Sequence, residues 1–183
     1  MKNFTRENTK VSLCGLNCLL CTMHIGGYCP GCGGGDGNQG CAIARCGMEH
    51  RVEFCSLCPD YPCGKYDTID TADSFITHLN QKENLEKIRQ VGVDAYCTQL
   101  DKRGQILTQL LENYNDGRRK NLFATAANLL NLTALAAVME CLNSENSLGM
   151  SLKERASLAA DALNKAAEKQ GVSLKLRKKS KGE

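Results

Sequence analysis

The sequence predicts a mainly α protein in which a small, loop-rich cysteine metal-binding module packs on a helical domain. Three observations carry this reading. Ten of the twelve cysteines lie between Cys14 and Cys63; all three prolines (Pro30, Pro59 and Pro62) fall in the same stretch; and beyond it apolar residues recur at helical spacing as far as Gly171. The 183 residues suffice for one ordinary domain and an accessory module. They divide into a metal-binding module at 1–66, a helical domain at 67–171 and a basic tail at 172–183. With aromatic residues at 5% and no Trp, the core must be built from Leu, Ile, Ala and Val.

Residues 1–10 are polar and read as loosely held, and Val11 to Leu13 as a short extended lead-in. The cysteines follow as Cys14, Cys18 and Cys21; Cys29 and Cys32; Cys41 and Cys46; and Cys55, Cys58 and Cys63. Gaps of two to four residues let several sulfurs from one loop converge on a point, which is what a metal site requires. Eight of the fifteen residues from Gly26 to Gly40 are glycine. Gly15 and Gly31, set inside cysteine motifs, are expected to let the backbone approach the site, whereas the Gly33 to Gly37 run reads as a flexible loop. The prolines exclude regular helix where they stand, leaving one helical turn near Ala42 to Glu49.

After Cys63 the pattern becomes helical. Ile69, Ala72, Phe75, Ile76 and Leu79 recur at helical spacing, then Leu85, Ile88 and Val91 with Gly92 as a stop, then Tyr96, Leu100, Leu107, Leu110, Leu111 and Tyr114. Asn115-Asp116-Gly117 reads as a turn. Helices are expected from about Arg118 to Leu130 and from Thr133 to Leu142, the second capped by Thr133. The last helix opens on the capping box Ser151-Leu152-Lys153-Glu154, carries Leu152, Ala156, Ala159, Leu163 and Ala167 on one face and closes at Gly171. Cys97 and Cys141 lie on helical stretches and read as core.

The net charge of +3 is uneven. The tail from Val172 holds Lys175, Arg177, Lys178, Lys179 and Lys181 against one acid, net +4, which leaves the first 171 residues at −1. Such a tail could grip phosphate, but it has no interleaved aromatics, so a solvated end is the reading preferred to nucleic-acid binding. No segment has the roughly 18 apolar residues of a membrane span, and the basic N-terminus is not followed by a cleavable apolar run. The chain therefore reads as cytoplasmic, with no membrane partner. Disulfides are rare there, so the cysteines are taken as metal ligands rather than as five disulfides.

Cys14-Gly15-Leu16-Asn17-Cys18-Leu19-Leu20-Cys21 has the spacing with which radical S-adenosylmethionine enzymes hold a cluster with one open iron. The repeated strand and helix units of such an enzyme are missing. Cys29-Pro30-Gly31-Cys32 and Cys55-Ser56-Leu57-Cys58-Pro59 suit zinc knuckles and iron–sulfur loops alike, while the Cys-Pro pairs and the wider Cys41 to Cys46 and Cys58 to Cys63 spacings tilt toward iron.

Ligand counting leaves several arrangements open. Two four-cysteine sites would leave two cysteines over, three zinc sites would need His24 and His50, and one knuckle from Cys29, Cys32, Cys41 and Cys46 would leave six cysteines for a cluster. The preferred reading is two [4Fe–4S] clusters, nucleated by Cys14, Cys18 and Cys21 and by Cys55, Cys58 and Cys63, with fourth ligands from the middle cysteines. Arg45, Arg51 and Lys65 are candidates to offset the thiolate charge. The function expected is electron transfer or redox support of a partner enzyme. The alternatives are a structural zinc-binding interaction module, nucleic-acid associated through its tail, and an iron–sulfur enzyme with an open iron at the Cys14 to Cys21 loop. No nucleophile–base pair, phosphate loop or carboxylate pair stands out as an independent active site.

The first third resembles a family of small cysteine-rich bacterial and archaeal proteins classed as a domain of unknown function. Its Cys-Gly-Leu-x-Cys-x-x-Cys opening is matched by Cys14 to Cys21, its Cys-x-Gly-Cys pair by Cys29 to Cys32, and its Cys-x-Ile-x-x-Cys segment by Cys41 to Cys46. The closing Cys-x-x-Cys-Pro-x-x-Pro-Cys is matched by Cys55-Ser56-Leu57-Cys58-Pro59-Asp60-Tyr61-Pro62-Cys63. The likeness covers roughly residues 12–92 and fades over the helical extension. It implies metal ligation by the ten cysteines and implies no reaction.

Overall fold

The computed structural model describes residues 4–35, 40–144 and 149–178. Gly37 of the glycine run and Lys179 and Lys181 of the tail lie outside the described residues. Among those described there are seven helices and no strand: α1 (Thr22–Ile25), α2 (Ala42–His50), α3 (Gln81–Val91), α4 (Val93–Asn113), α5 (Lys120–Leu129), α6 (Leu132–Ser144) and α7 (Leu152–Lys169).

Helix α4 is the axis of the molecule, packing against α3, α5, α6 and α7 and against the turn at Cys18–Leu20. Its apolar positions, Tyr96, Leu100, Leu107 and Leu110, fall on one stripe and are buried. Gly92, at φ 84°, separates it from α3. The turn at 115–119 is made by side chains, because the amides of Gly117 and Arg119 donate to Asn115 Oδ1 and that of Arg118 to Asp116 Oδ1. That use of the amides delays α5 to Lys120. Helix α7 has the expected capping box, with Ser151 and Glu154 bonded in both directions. Ala156, Ala159, Leu163 and Ala167 are buried along it, while Leu152 stays exposed.

Several expectations are corrected. Residues 69–80 are not helical. The Asp73 carboxylate accepts from the backbone N–H of His78 and from Arg177, and this local bonding displaces a helix ladder. The cap of α6 is Asn131, whose Oδ1 accepts from the Ala134 amide, and not Thr133, which lies inside the helix. Cys141 is exposed rather than core, whereas Cys97 packs against the core as expected, half-buried, with its sulfur accepting from Asn8 Nδ2 at 3.0 Å. Within the tail read as a solvated end, Leu174 is buried.

The N-terminal segment is held, not loose. The Arg6 guanidinium is 2% exposed, donates to the carbonyls of Glu53, Val11 and Cys32, and lies over the Phe54 ring. Lys10 bonds Asp101 of α4 at 2.7 Å. One apolar core therefore runs from the cysteine segment (Val11, Leu20, Phe54, Tyr66) into the helices (Leu85, Leu100, Phe123, Leu135, Leu163). Burying such a side chain contributes about 1.5–3 kcal/mol.

Candidate metal centre

Each C-x2-C pair in the outer motifs is one turn of 3₁₀ helix. Cys18–Leu20 ends at Cys21, whose amide donates to the Cys18 carbonyl, and Cys55–Leu57 ends at Cys58, whose amide donates to the Cys55 carbonyl. Three residues per turn set positions i and i+3 on one edge, so the spacing is matched by the local backbone. Gly15, at φ 96°, lets the first loop press onto α3: a Cβ there would strike the Gln81 carbonyl oxygen and the Leu85 side chain. The Gly33 stretch also packs closely, Gly33 against the Arg6 stem and Gly34 against the Pro30 carbonyl. It is thus more than the flexible loop its composition suggested. The Tyr61–Pro62 peptide of the closing motif is cis.

All ten cysteines are half-buried and none is disulfide-bonded. They fall into two sets. In the first, burial pushes Cys18 up to about 12; the Cys32 amide pulls it down, and the neighbouring sulfurs of Cys32, Cys14 and Cys21 raise it further. Burial likewise lifts Cys14 to about 11 against its hydrogen bond with Ser12, and Cys32 and Cys41 add to the rise. Cys32 is raised by burial, opposed by the Leu13 amide and the Arg6 guanidinium. Cys41 caps α2, its sulfur accepting from the Ala44 amide.

In the second set, Cys46, Cys55, Cys58 and Cys63 line one cavity with His50, Tyr61, Lys65 and Tyr66. Burial pushes Cys55 up to about 12 in spite of the Tyr66 hydroxyl that bonds it, and Cys14, Cys46 and Cys63 raise it further. Cys14 thus lies within electrostatic reach of both sets. The Cys29 carbonyl accepts from His24 Nδ1 at 2.9 Å. The His50 ring donates from Nδ1 to the Cys46 carbonyl at 2.9 Å, leaving Nε2 3.7 Å from Asp60 Oδ2. Among the described residues, the one group of three or more His, Cys, Asp or Glu with ligand atoms all within 4.8 Å of one another is His50, Cys58 and Asp60.

Of the basic residues expected to offset thiolate charge, Lys65 lines the second set, Arg45 is exposed, and Arg51 is the left-handed cap of α2 at φ 53°. A further cation, Arg6, eight residues before the first cysteine, acts on Cys32. Ser12, Arg6 and Tyr66 all give hydrogen bonds to sulfur in these sets. They were invisible to a reading by spacing, since the contacts of Arg6 and Tyr66 span tens of residues; only Ser12, two residues from Cys14, lay within a local signal.

Comparison with known proteins finds no matching family model, no matching curated protein and no matching solved structure.

Proposed function

We propose that the chain is a cytoplasmic metal-binding protein carrying two [4Fe–4S] clusters, which serve electron transfer or redox support of a partner enzyme. The observation that carries the reading is the division of half-buried, unbridged cysteines into two sets, each able to supply four thiolates. Cys14, Cys18, Cys21 and Cys32 would hold one cluster, and Cys46, Cys55, Cys58 and Cys63 the other. Cys41 borders the first set. The clusters would supply one-electron chemistry.

The donor set fits. Half-buried thiols set near one another oppose one another's ionisation and become thiolates together more readily around a cation. Hydrogen bonds from Ser12, Tyr66 and the backbone amides of Leu13 and Cys32 reach the sulfurs, the kind of contact that tunes a cluster's potential. A single tetrahedral zinc with Zn–S bonds of about 2.3 Å would bring its sulfurs to about 3.8 Å from one another. No trio of cysteine sulfurs is that close among the described residues, and a cluster, with irons and sulfides between its thiolates, asks for wider spacing. Leu57, between Cys55 and Cys58, is exposed and gives a partner apolar surface beside the second set.

The test is iron, zinc and acid-labile sulfide content with a visible spectrum, on protein purified without oxygen. Iron and sulfide near eight per chain are expected, roughly halved by Cys63→Ser and by Cys18→Ser, each leaving the other set loaded. Metal uptake should weaken as pH falls, because the thiols must give up protons that burial holds tightly.

The zinc reading keeps one observation in its favour, the close trio of His50, Cys58 and Asp60, with His50 Nδ1 fixed by a carbonyl and Nε2 turned to the group. Colourless protein with two or three zincs would replace the cluster reading with it.

A further inference from the structure

A second cavity, of about 220 Å³, lies between α3, α4 and α5 beside the Cys14 to Cys21 loop. Eleven of its thirteen lining residues are polar or charged, which rules out an apolar ligand as its natural occupant. Its wall is prebuilt by a hydrogen-bond chain that begins inside the cysteine motif. Tyr96 donates to Asn17 Oδ1 at 2.8 Å, Asn17 Nδ2 donates to Asn128 Oδ1 at 3.2 Å, and Asn128 Nδ2 donates to the Ala124 carbonyl at 2.9 Å. From α3, Asn84 Nδ2 donates to the Gly15 carbonyl at 2.9 Å. These amides are spent on one another and hold the wall rigid.

Arg103 is the exception. It is half-buried on α4 and lines the cavity. Its Nη1 donates to the carbonyls of Ala127 and Leu130, at 2.7 and 2.6 Å. Among the described residues it belongs to none of the ion pairs, and no hydrogen bond to a described residue engages its Nε or Nη2. A guanidinium withdrawn from water without a counter-ion is costly. Burial accordingly holds its pKa below the usual arginine range. The parallel N–H bonds of Nε and Nη2 form the fork that a carboxylate accepts in bidentate fashion. Lys87 adds a second cation among the lining residues, and Glu83, their one carboxylate, pairs with neither.

We propose that this cavity is a binding site for a small carboxylate, anchored on Nε and Nη2 of Arg103 with Lys87 as the second cation. The volume admits a compact organic acid and excludes a nucleotide. The site is independent of which metal the cysteines hold. Through Asn17, however, the bound acid would touch the wall that carries Cys18.

Titration calorimetry of the full chain with succinate, inorganic phosphate and the neutral diamide succinamide tests this. Succinate is expected to bind with a Kd of about 1 mM or tighter, and succinamide at least about tenfold more weakly. Arg103→Gln removes the fork and should weaken succinate at least about tenfold. Since Arg103 also holds the end of α5, two further variants keep the test open. Arg103→Lys retains a donor for the Ala127 and Leu130 carbonyls but not the fork, and Gln99→Phe fills the cavity from the exposed side of α4 without touching Arg103. Both should lose succinate with helix content unchanged by circular dichroism. No heat with succinate, or undiminished binding in folded Arg103→Lys and Gln99→Phe, overturns the proposal. Tighter binding of phosphate than of succinate overturns its carboxylate chemistry.

Discussion

At the scale of single residues, Gly15 shows how an amino acid with no side chain lets the Cys14 to Cys21 loop rest against α3. Its φ of 96° lies where L residues are strained, and a Cβ would meet backbone of α3, which cannot step aside as a side chain can. Gly15→Ala is therefore expected to destabilise the protein by at least about 2 kcal/mol in urea unfolding. Gly40→Ala, where no atom lies within 4 Å and φ is ordinary, should stay within about 0.5 kcal/mol. Equal effects would show that the loop does not rest on α3 as described. The glycine was legible from sequence as a close approach, but the surface approached was not. Gly15 was expected to let the backbone approach the site, and the surface it meets is the Gln81 carbonyl. Arg6 carries the complementary lesson. In a polar opening segment nothing distinguishes it locally, and its role comes from Glu53, Val11 and Cys32 arriving around it in the fold.

At the scale of elements, helices with a long apolar stripe and a strong cap were readable: α4 and α7 follow directly from spacing and from the Ser151 and Glu154 pair. The segment at 69–80 was not, because its apolar spacing is helical while its hydrogen bonding is decided by Asp73 and a residue about a hundred positions later. Burial raises the Asp73 pKa, but the side-chain and backbone bonds from Arg177, the His78 amide and the Arg177 charge outweigh it and hold the carboxyl at about 2. Because the folded value lies below the ordinary one, this stabilisation is complete above about pH 4 and is lost as pH falls toward about 2. Asp73→Asn should cost about 1–2 kcal/mol at pH 7, allowing for the partial exposure of Arg177, and the difference from wild type should shrink steadily below pH 4. A pH-independent difference in urea midpoint would mean that packing, and not charge, holds this segment.

At the scale of the molecule, the division into cysteine module and helical domain describes composition better than packing. Val11, Leu20, Phe54 and Tyr66 share one core with α3 to α7, and the Tyr96–Asn17–Asn128 chain ties the first cysteine loop to the helices. Loss of metal should therefore lower the stability of the whole. Treatment with a chelator is expected to lower Tm by several degrees, with far-ultraviolet circular dichroism and a probe in the cysteine segment melting together. Separate melts would show two independent units. The helical class and the packing of the cysteine segment on the helices were legible from sequence, whereas the residues that make the shared interior were not, since they meet only through contacts between distant segments.

The C-terminal strap gives the basic tail a different meaning. Leu174 is buried, the Arg177 amide and guanidinium both bond Asp73, and the Arg177 carbonyl accepts from the Asp73 amide. One of the five basic residues thought available to phosphate is thus already spoken for, and the polypeptide is buttoned to itself there. Cutting the chain at residue 172 to look for lost RNA or DNA binding would unfasten that button and report on folding. The informative cut falls after Lys178, which leaves Leu174 and the Arg177 bonds to Asp73 in place.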